Sequence, residues 1–520
     1  MPDVKKRLLR YYSLTEDEYE AMAKPATFDD IPLLPKTPDL VRAKTRIELG
    51  AKKHDRILIY GDYDADGIMS ASIIKICLRK IGSEAQVFIP SRYLDGYGLT
   101  MENAVRIANC FDLVILVDNG VSSSSEISYL KEKGVDVIVL DHHEIGECLP
   151  LDAFAFVHPD RLKYGPYPIS AGELCFGFSR YLLNKNDEYL AILAGISTIS
   201  DCMPLRGYNQ KLVSLTLHLI VRNNVNQILD LTSRRHIDEK VLGMEIIPQI
   251  NSVGRMEEGH FGNKIVDYFA KSDRGLEFEQ AMVSYLRNTN QNRKDATKKA
   301  ENELDFDPSL PGISVVGNLP EGLNGLLANK LLNEYDKPIM VFSPSRKEPG
   351  VFVGSARSKE GFNVMEFWKE NEKILERFGG HDYAGGASIK QENLDLLQKS
   401  FLEFSKNHPF SVEPPPHINL ILNDLTPDLY PLIRSFGPFG TEHEEPLFRI
   451  NEVPASMLRL VSSGKCMKTN YHSVEIFSFQ INKEHPLNPS KHIALDGRFR
   501  INEYNGKAAV RFECSPVIVK

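Results

Sequence analysis

The stretch RILIYGDYDADG (56–67) decides the fold, because a short β-branched apolar run breaks into a turn carrying three carboxylates at alternating positions. EAQVFIP (84–90), FDLVILVDNG (111–120) and GVDVIVLDHH (134–143) repeat the pattern of a buried strand ending in a loop. Between them lie stretches of helical texture, IMSASIIKICLRKIG (68–82) and TMENAVRIANC (100–110). Buried strands alternating with helices predict a parallel sheet with right-handed crossovers. Helices throughout would fit poorly, since the runs are short and β-branched. ILAGISTISD (192–201) reads as one further apolar run closing on a carboxylate.

Outward from this core, the texture divides the chain. Residues 1–52 are charged and punctuated by Pro25, Pro32, Pro35 and Pro38, an appendage of short helices. Residues 53–215 hold the first α/β domain, and 216–305 a helical region. That region closes with SYLRNTNQNRKDATKKAENELDF (284–306), too polar for a core helix and suited to bridging domains. A second α/β unit follows over 306–410, with GISVVGN (312–318), LNGLLANKLLNEY (323–335), PIMVFS (338–343), GVFVGSARS (350–358) and a glycine-rich loop GGHDYAGGAS (379–388). The prolines at 414–416 mark a hinge. Over 411–520, SMLRLVSS, HSVEIFSFQ, HIALDGRFRINEY and GKAAVRFEC read as strands of a small β-barrel, with the OB-fold the leading candidate.

Composition bounds the rest. A chain of 520 residues, 42% hydrophobic and 25% charged, can build three or four cored domains and is not a disordered chain. Its 62 basic and 70 acidic side chains leave −8, which argues against a general nucleic-acid coat but not against a local basic groove. No apolar run reaches the length of a membrane span, and no apolar segment follows the basic residues of MPDVKKRLLRYYSLTEDEYE, so neither a membrane nor a signal peptide is expected. Seven scattered cysteines without a CxxC pair exclude a disulfide framework or zinc ribbon, and a reducing cytoplasm is the simpler account.

The chemistry concentrates at the strand ends. Asp62, Asp64 and Asp66 follow the first, Asp118 another, Asp141 with His142 and His143 a third, and Asp201 closes the run at 192–201. In open parallel sheets the carboxyl ends of strands form the ligand crevice. Converging carboxylates repel unless cations neutralise them, and carboxylates with imidazole suit Mn²⁺ well and Mg²⁺ acceptably. Two such ions can activate water and stabilise both oxygens of an in-line displacement at phosphorus. Any single strand-end aspartate can instead cap the next helix. Asp62 stands open between an Asx turn and a ligand.

YGDYDADG, VDNG, DHH and ISD, in that order, resemble the four signatures of the DHH phosphoesterase superfamily. FIPSRYLDGYGL (88–99), INSVGR (250–255), GSARS (354–358), GGHDYAGGAS, FGPFGTEHEEPLF (436–448) and the terminal strands resemble its RecJ branch of single-strand-specific exonucleases. The resemblance covers residues 50 to 520 and implies a DHH catalytic domain, a DHH-associated substrate-binding domain and a nucleic-acid-binding OB-fold. It makes Asp64, Asp66, Asp118, His142 and Asp201 ligands of two divalent ions, Mn²⁺ or Mg²⁺, with Asp62 in or beside the cluster and Asp118 bridging. It places His143 against the scissile phosphate and Asp141 behind a histidine. Phosphate or nucleic-acid contacts are expected from Arg92, Tyr97, Asn251, Arg255, Ser355, Arg357, Gly379, Gly380 and His381. Two roles for Tyr97 stay open, stacking on a base or packing in the interior. In the bridging helix, Arg287, Arg293, Lys294, Lys298 and Lys299 read either as a solvated face or as a strand guide.

The sequence departs from the family pattern at Gln210, where arginine is usual, and at Pro320, where histidine is usual, which puts substrate preference in doubt. The implied activity is 5′-to-3′ hydrolysis of single-stranded DNA to 5′-mononucleotides in recombination and repair. The expected partners are single-stranded DNA, a single-strand-binding protein and a helicase, around a monomer. Two alternatives are weighed against it: hydrolysis of short oligonucleotides or cyclic dinucleotides, against which the barrel counts, and a non-catalytic scaffold at replication forks, against which the complete carboxylate–histidine set counts.

Overall fold

The computed structural model describes residues 2–146, 148–272, 274–409, 415–462, 466–479, 492–504 and 507–517. Part of the expected proline hinge, Pro414 and the residues just before it, lies outside the described residues. The chain forms two compact units, one of Pro32–Met203 with Thr216–Val412, the other of Met1–Ile31, Pro204–Leu215 and Glu413–Lys520.

In the larger unit, β1 (Ile57–Tyr60), β2 (Ala85–Phe88), β3 (Leu113–Val117), β4 (Asp136–Leu140) and β5 (Ala155–Val157) form one sheet in the order β2-β1-β3-β4-β5. Every pairing is parallel. Strands β1 and β3 are buried along their whole length, which is why they read as continuous apolar runs. Leu58, Tyr60, Val114, Leu116, Val137 and Val139 meet Ala104, Ile107, Ile127 and Leu130 from the helices Met101–Ala108 and Ser124–Glu132.

The helix Ala65–Lys80 begins directly after the carboxylate turn and packs against Ala171–Leu183 and Glu188–Ser200. Here one expectation is corrected. The run at 192–201 is the end of a helix, not a strand, and Asp201 is its C-cap. Leu190–Gly195 is buried all round against neighbouring helices, so its apolar run carries no facial period, and only Asp187 capping the N-terminus marks it as helical.

The second α/β domain has β6 (Ile313–Val316), β7 (Ile339–Pro344), β8 (Val351–Arg357), β9 (Leu375–His381) and β10 (Ala384–Lys390), in the order β6-β7-β8-β10-β9. Only β6 and β7 run parallel. GGHDYAGGAS is therefore not a loop: Gly379–His381 end β9, Ala384–Ser388 open β10, and Asp382-Tyr383 make the turn. Its glycines match a turn signal, but Gly385 leaves room for the Trp368 indole, where a Cβ would come within 2.5 Å of Nε1. The 29-residue helix Gly275–Glu303 buries only Met282, Leu286, Thr289 and Asn290, in keeping with its polar sequence.

The smaller unit is built on β11 (His417–Leu420), β12 (Leu447–Pro454), β13 (Arg459–Val461), β14 (Cys466–Tyr471), β15 (Val474–Ser478), β16 (His492–Tyr504) and β17 (Lys507–Val517), ordered β11-β12-β16-β17-β15-β14-β13. Val4 and Leu8 of the first helix lie in one core with Phe448, Ile450, Phe499 and Phe512. Arg7 donates to the Asn419 carbonyl at 2.5 Å, Tyr12 to the Glu444 carbonyl at 2.8 Å, and Lys211 to the Ala21 carbonyl at 2.7 Å. The first thirty-one residues are thus part of the strand-rich unit, while Pro38–Lys53 belongs to the larger one. Among the described residues no helix is long and apolar enough to cross a membrane.

Burial pushes the Glu173 carboxyl, in the third position of the helix Ala171–Leu183, up to about 8, against the opposing effect of the Thr198 hydroxyl. Because the folded state holds this proton more tightly than the unfolded chain, its stabilising contribution is complete below the ordinary glutamate range. It drains away as pH rises towards 8. Glu173→Gln should therefore raise Tm by a few degrees at pH 8 and leave it nearly unchanged at pH 4, measured by calorimetry; an equal shift at both values would contradict the assignment.

Candidate metal centre and arginine cluster

The turn after β1 is shaped by its own carboxylates. Asp62 Oδ1 accepts the N–H of the next residue, Tyr63, at 2.8 Å, one residue short of the span of an Asx turn. Asp64 caps the helix Ala65–Lys80, its Oδ1 accepting from Asp66 N and Gly67 N at 3.0 and 3.1 Å. Gly67 is required here, since a Cβ would sit 2.5 Å from the backbone of Asp62. Local bonds occupy one oxygen of each of these two aspartates and leave the other to face outward. Asp118, after β3, has φ of +59°, a left-handed conformation that aspartate tolerates better than most residues.

Three groups of side chains bring potential ligand atoms within 4.8 Å of one another: Asp62, Asp64 and Asp118; Asp66, His142 and Asp201; and Asp118, His142 and His143. Every expected metal ligand is in at least one. His142 Nε2 lies 3.3 Å from Asp118 and 3.5 Å from Asp201, which joins the first two groups edge to edge. Burial, then the charge of Asp64, pushes Asp62 up to about 8; burial and Asp66 do the same to Asp201. Asp118 is raised well above the usual carboxylate range by burial and by Asp66, Asp64 and Asp62 together, and burial lowers His142. So much mutually repelling buried charge, with an imidazole held neutral, is a donor set that fits hard divalent cations.

Asp141 stands behind this set. Its Oδ1 accepts His142 N at 2.7 Å, His143 N at 3.2 Å and His143 Nδ1 at 2.7 Å, and its Oδ2 accepts Val121 N at 2.9 Å. Burial alone would raise this carboxyl, yet the His143 bond and charge bring it down to about 2. Burial likewise opposes charge on His143, but Asp141 lifts it to about 9. Tyr97, on the loop after β2, does not pack inside: it is 52% exposed, and its hydroxyl lies 2.9 Å from His143 Nε2.

Two supporting residues escaped the reading of the sequence. Ser197 donates to Asp66 Oδ1 at 2.5 Å and contacts Ser170 Oγ at 2.6 Å. Asp66 also accepts Ala171 N and Gly172 N at 3.0 and 2.9 Å, so it sits on the N-terminus of the helix Ala171–Leu183. The hydroxyl residues of ISTIS, in an otherwise aliphatic buried helix, were the available signal. His158 accepts the Asp160 N–H at Nδ1, at 3.2 Å, so its Nε2 donates to the His143 carbonyl at 2.9 Å.

Beside Asp64 lie arginines with no carboxylate ion pair among the described residues. Arg92 is half-buried with its guanidinium 4.6 Å over Tyr63, and among the described residues its buried Nε has no partner. Arg255 donates to the Gly322 carbonyl at 3.2 Å, and burial with the neighbouring Arg92 and Arg293 charges lowers it to about 10. Asn251 is partly committed to structure, its Oδ1 accepting Ala65 N at 2.7 Å. Ser355 and Arg357 form a separate pair, Arg357 donating to Ser355 Oγ at 2.7 Å, while Gly379, Gly380 and His381 lie exposed on the edge strand β9. Among the described residues no hydrogen bond joins these five to the carboxylate cluster.

Comparisons follow the same division. Residues 56–199 match the model of the DHH family N-terminal domain, 313–407 the DHHA1 domain and 418–515 the RecJ OB domain. Residues 56–199 are a DHH domain. With the DHHA1 and RecJ OB domains, the chain carries the domain set of the RecJ branch. It is 29% identical over 487 residues to the single-stranded-DNA-specific exonuclease RecJ of Bacillus subtilis, matching 89% of this chain but spanning 61% of that relative's length. The RecJ of Thermus thermophilus is 27% identical, over 90% of this chain and 69% of the relative. Among solved structures, Thermus thermophilus RecJ in complex with Mn²⁺ has the same fold, with a TM-score of 0.79 at 24% identity over 93% of this chain and 72% of that one. An exonuclease RecJ bound to manganese aligns with a TM-score of 0.62 at 26% identity, over 73% of this chain and 96% of that one.

If Ser197 holds Asp66 in place for a cation, Ser197→Ala should weaken Mn²⁺ binding by about 10–100-fold in titration calorimetry while leaving the fold intact by circular dichroism. Unchanged affinity would mean the hydroxyl serves only helix packing.

Proposed function

We propose that the chain is a metal-dependent exonuclease that degrades single-stranded DNA from the 5′ end and releases 5′-mononucleotides. The observation that carries this is the joined pair of ligand groups, Asp62–Asp64–Asp118 and Asp66–His142–Asp201, meeting where Asp118 and His142 approach to 3.3 Å. Divalent cations held there, Mn²⁺ or Mg²⁺, supply charge neutralisation and an acidified water for in-line displacement at phosphorus.

The chain's own residues account for the remaining steps. Asp118, shared between two groups, keeps the ligand sets in register. His143, protonated against Asp141, is suited to stabilise the negative charge that develops on the phosphate. Arg92 and Arg255, without carboxylate partners, suit the backbone phosphates, and Arg357 offers a second phosphate contact from β8. Strand preference is supported by the RecJ relatives, which are single-stranded-DNA-specific exonucleases.

The strand-rich unit fits a role in gripping the same polymer. Phe479 is 61% exposed and lines a groove of about 440 Å³ with Leu447, Arg498 and Arg500. Aromatic rings beside cations on an OB-type sheet suit stacked bases without sequence preference.

End-labelled single strands of both polarities, with Mn²⁺, test the reading: mononucleotide should be released from the 5′ label alone, and Asp118→Ala should lower the rate by on the order of 10²–10³-fold or more. Release only from a dinucleotide, or full activity in Asp118→Ala, would refute it. Phe479→Ala should weaken binding of a long oligothymidylate by about 1–3 kcal/mol in fluorescence anisotropy while sparing cleavage of a short strand.

A further inference from the structure

The loop Ser91–Leu99 carries two residues of the site, Arg92 and Tyr97. Its ends are seated by buried Ser91, Tyr93 and Leu99, but the stretch between them projects, with Leu94 54% and Tyr97 52% exposed. Gly96 and Gly98, at φ of +93° and +68°, let the chain reverse there but do nothing to hold it. What ties this projecting stretch to the body of the domain is a polar hub at Asp95.

Asp95, its side chain 6% exposed, gathers donors from three segments of the chain. Its Oδ2 accepts Ser91 N at 2.8 Å and His260 Nε2 at 2.7 Å, and its Oδ1 accepts Asn103 Nδ2 at 3.1 Å. Asn103 Nδ2 also reaches the Tyr60 hydroxyl at 3.2 Å, and that hydroxyl donates to the Gly98 carbonyl at 2.9 Å. Both ends of the loop are thus tied to a single hub, which is anchored in turn to β1, to the helix Met101–Ala108 and to the segment around His260. The Ser91 bond alone would close the loop on itself. The His260 and Asn103 bonds are the surplus that locks the loop against the body of the domain.

The cargo of the loop is specific. Tyr97 meets His143 Nε2 at 2.9 Å while Asp141 holds Nδ1 at 2.7 Å, so the imidazole is gripped at both nitrogens and its ring plane is set. Without Tyr97 the ring keeps one restraint and can swing about the Asp141 bond. A group that must meet a phosphate within a few tenths of an ångström loses rate steeply when so loosened.

We propose that Asp95 is a positioning residue, acting through Tyr97 to orient His143. His260 and Asn103 are its anchors. The role rests on the hydrolytic reading of His143 given above, and the readouts below separate the two.

A double-mutant cycle decides it. At saturating single-stranded substrate, Tyr97→Phe should lower kcat about tenfold, and Asp95→Ala about as much. In the Tyr97→Phe background, Asp95→Ala should change kcat less than about twofold, since its route to His143 is already cut. Multiplicative losses would overturn the proposal. His260→Gln, which keeps a donor for Asp95, should stay near wild type, whereas His260→Leu should fall towards Asp95→Ala; equal effects of the two would also count against it. Independently of any activity, hydrogen–deuterium exchange of residues 91–98 should quicken in Asp95→Ala and His260→Leu while Mn²⁺-induced thermal stabilisation is retained. Unchanged exchange there would overturn the proposal, whereas a wild-type chain that cleaves no single strand would refute only the nuclease reading. Should Asp95→Ala fail to fold, His260→Leu, at a half-buried position, takes its place in the cycle.

Discussion

Repulsion among buried carboxylates governs this molecule. Asp62, Asp66, Asp118 and Asp141 are almost wholly removed from water, and Asp201 joins them from a helix end. Placing so many like charges within a few ångströms would destabilise a fold that gained nothing from it. The surrounding structure is organised to hold them there. Asp66 rests on a helix N-terminus and a serine, Asp141 takes four hydrogen bonds, and Asp62 and Asp64 accept nearby backbone N–H groups with one oxygen each. Asp62, Asp64 and Asp66 keep ligand atoms within reach of Asp118, His142 and Asp201, with Asp141 behind them. That arrangement makes sense only if divalent charge completes it.

This constraint also explains why the parts of the site differ in how legible they are. Strands β1, β3 and β4 announce themselves because both their faces are buried, and their terminal aspartates stand at the C-terminal edge where a parallel sheet presents its crevice. Asp201 was equally visible as a residue but not as a conformation. Its helix is enclosed by other helices, so the facial period that distinguishes helix from strand is erased. Ser197 and His158 could not be found from spacing, because what defines them is a hydrogen bond to a residue 131 positions away in one case and to a backbone carbonyl in the other.

The first thirty-one residues give the same lesson on a larger scale. Their charge and prolines suggest a peripheral appendage, yet Val4 and Leu8 complete a core whose other members lie beyond residue 417. A two-turn amphipathic helix says that it has an apolar face and nothing about which partner covers it. Here the partner is more than 400 residues away, so no local pattern could name it.

The net charge of −8 is best understood through placement. The acids that count are concentrated at one point of the larger unit, where cations offset them, and the arginines that count are those left without acidic partners. Arg92, Arg255 and Arg357 lie outside the ion pairs that engage most other arginines of the unit, such as Arg46 with Asp55 and Asp136. Arg255 is even held below its ordinary range by burial and by Arg92, an arrangement that an anion would relieve. Under the proposed function, acidic centre and unpaired arginines are complementary halves of one requirement: a phosphodiester would bring negative charge that the carboxylates alone repel, and cations on one side with guanidinium groups on the other would make its approach favourable.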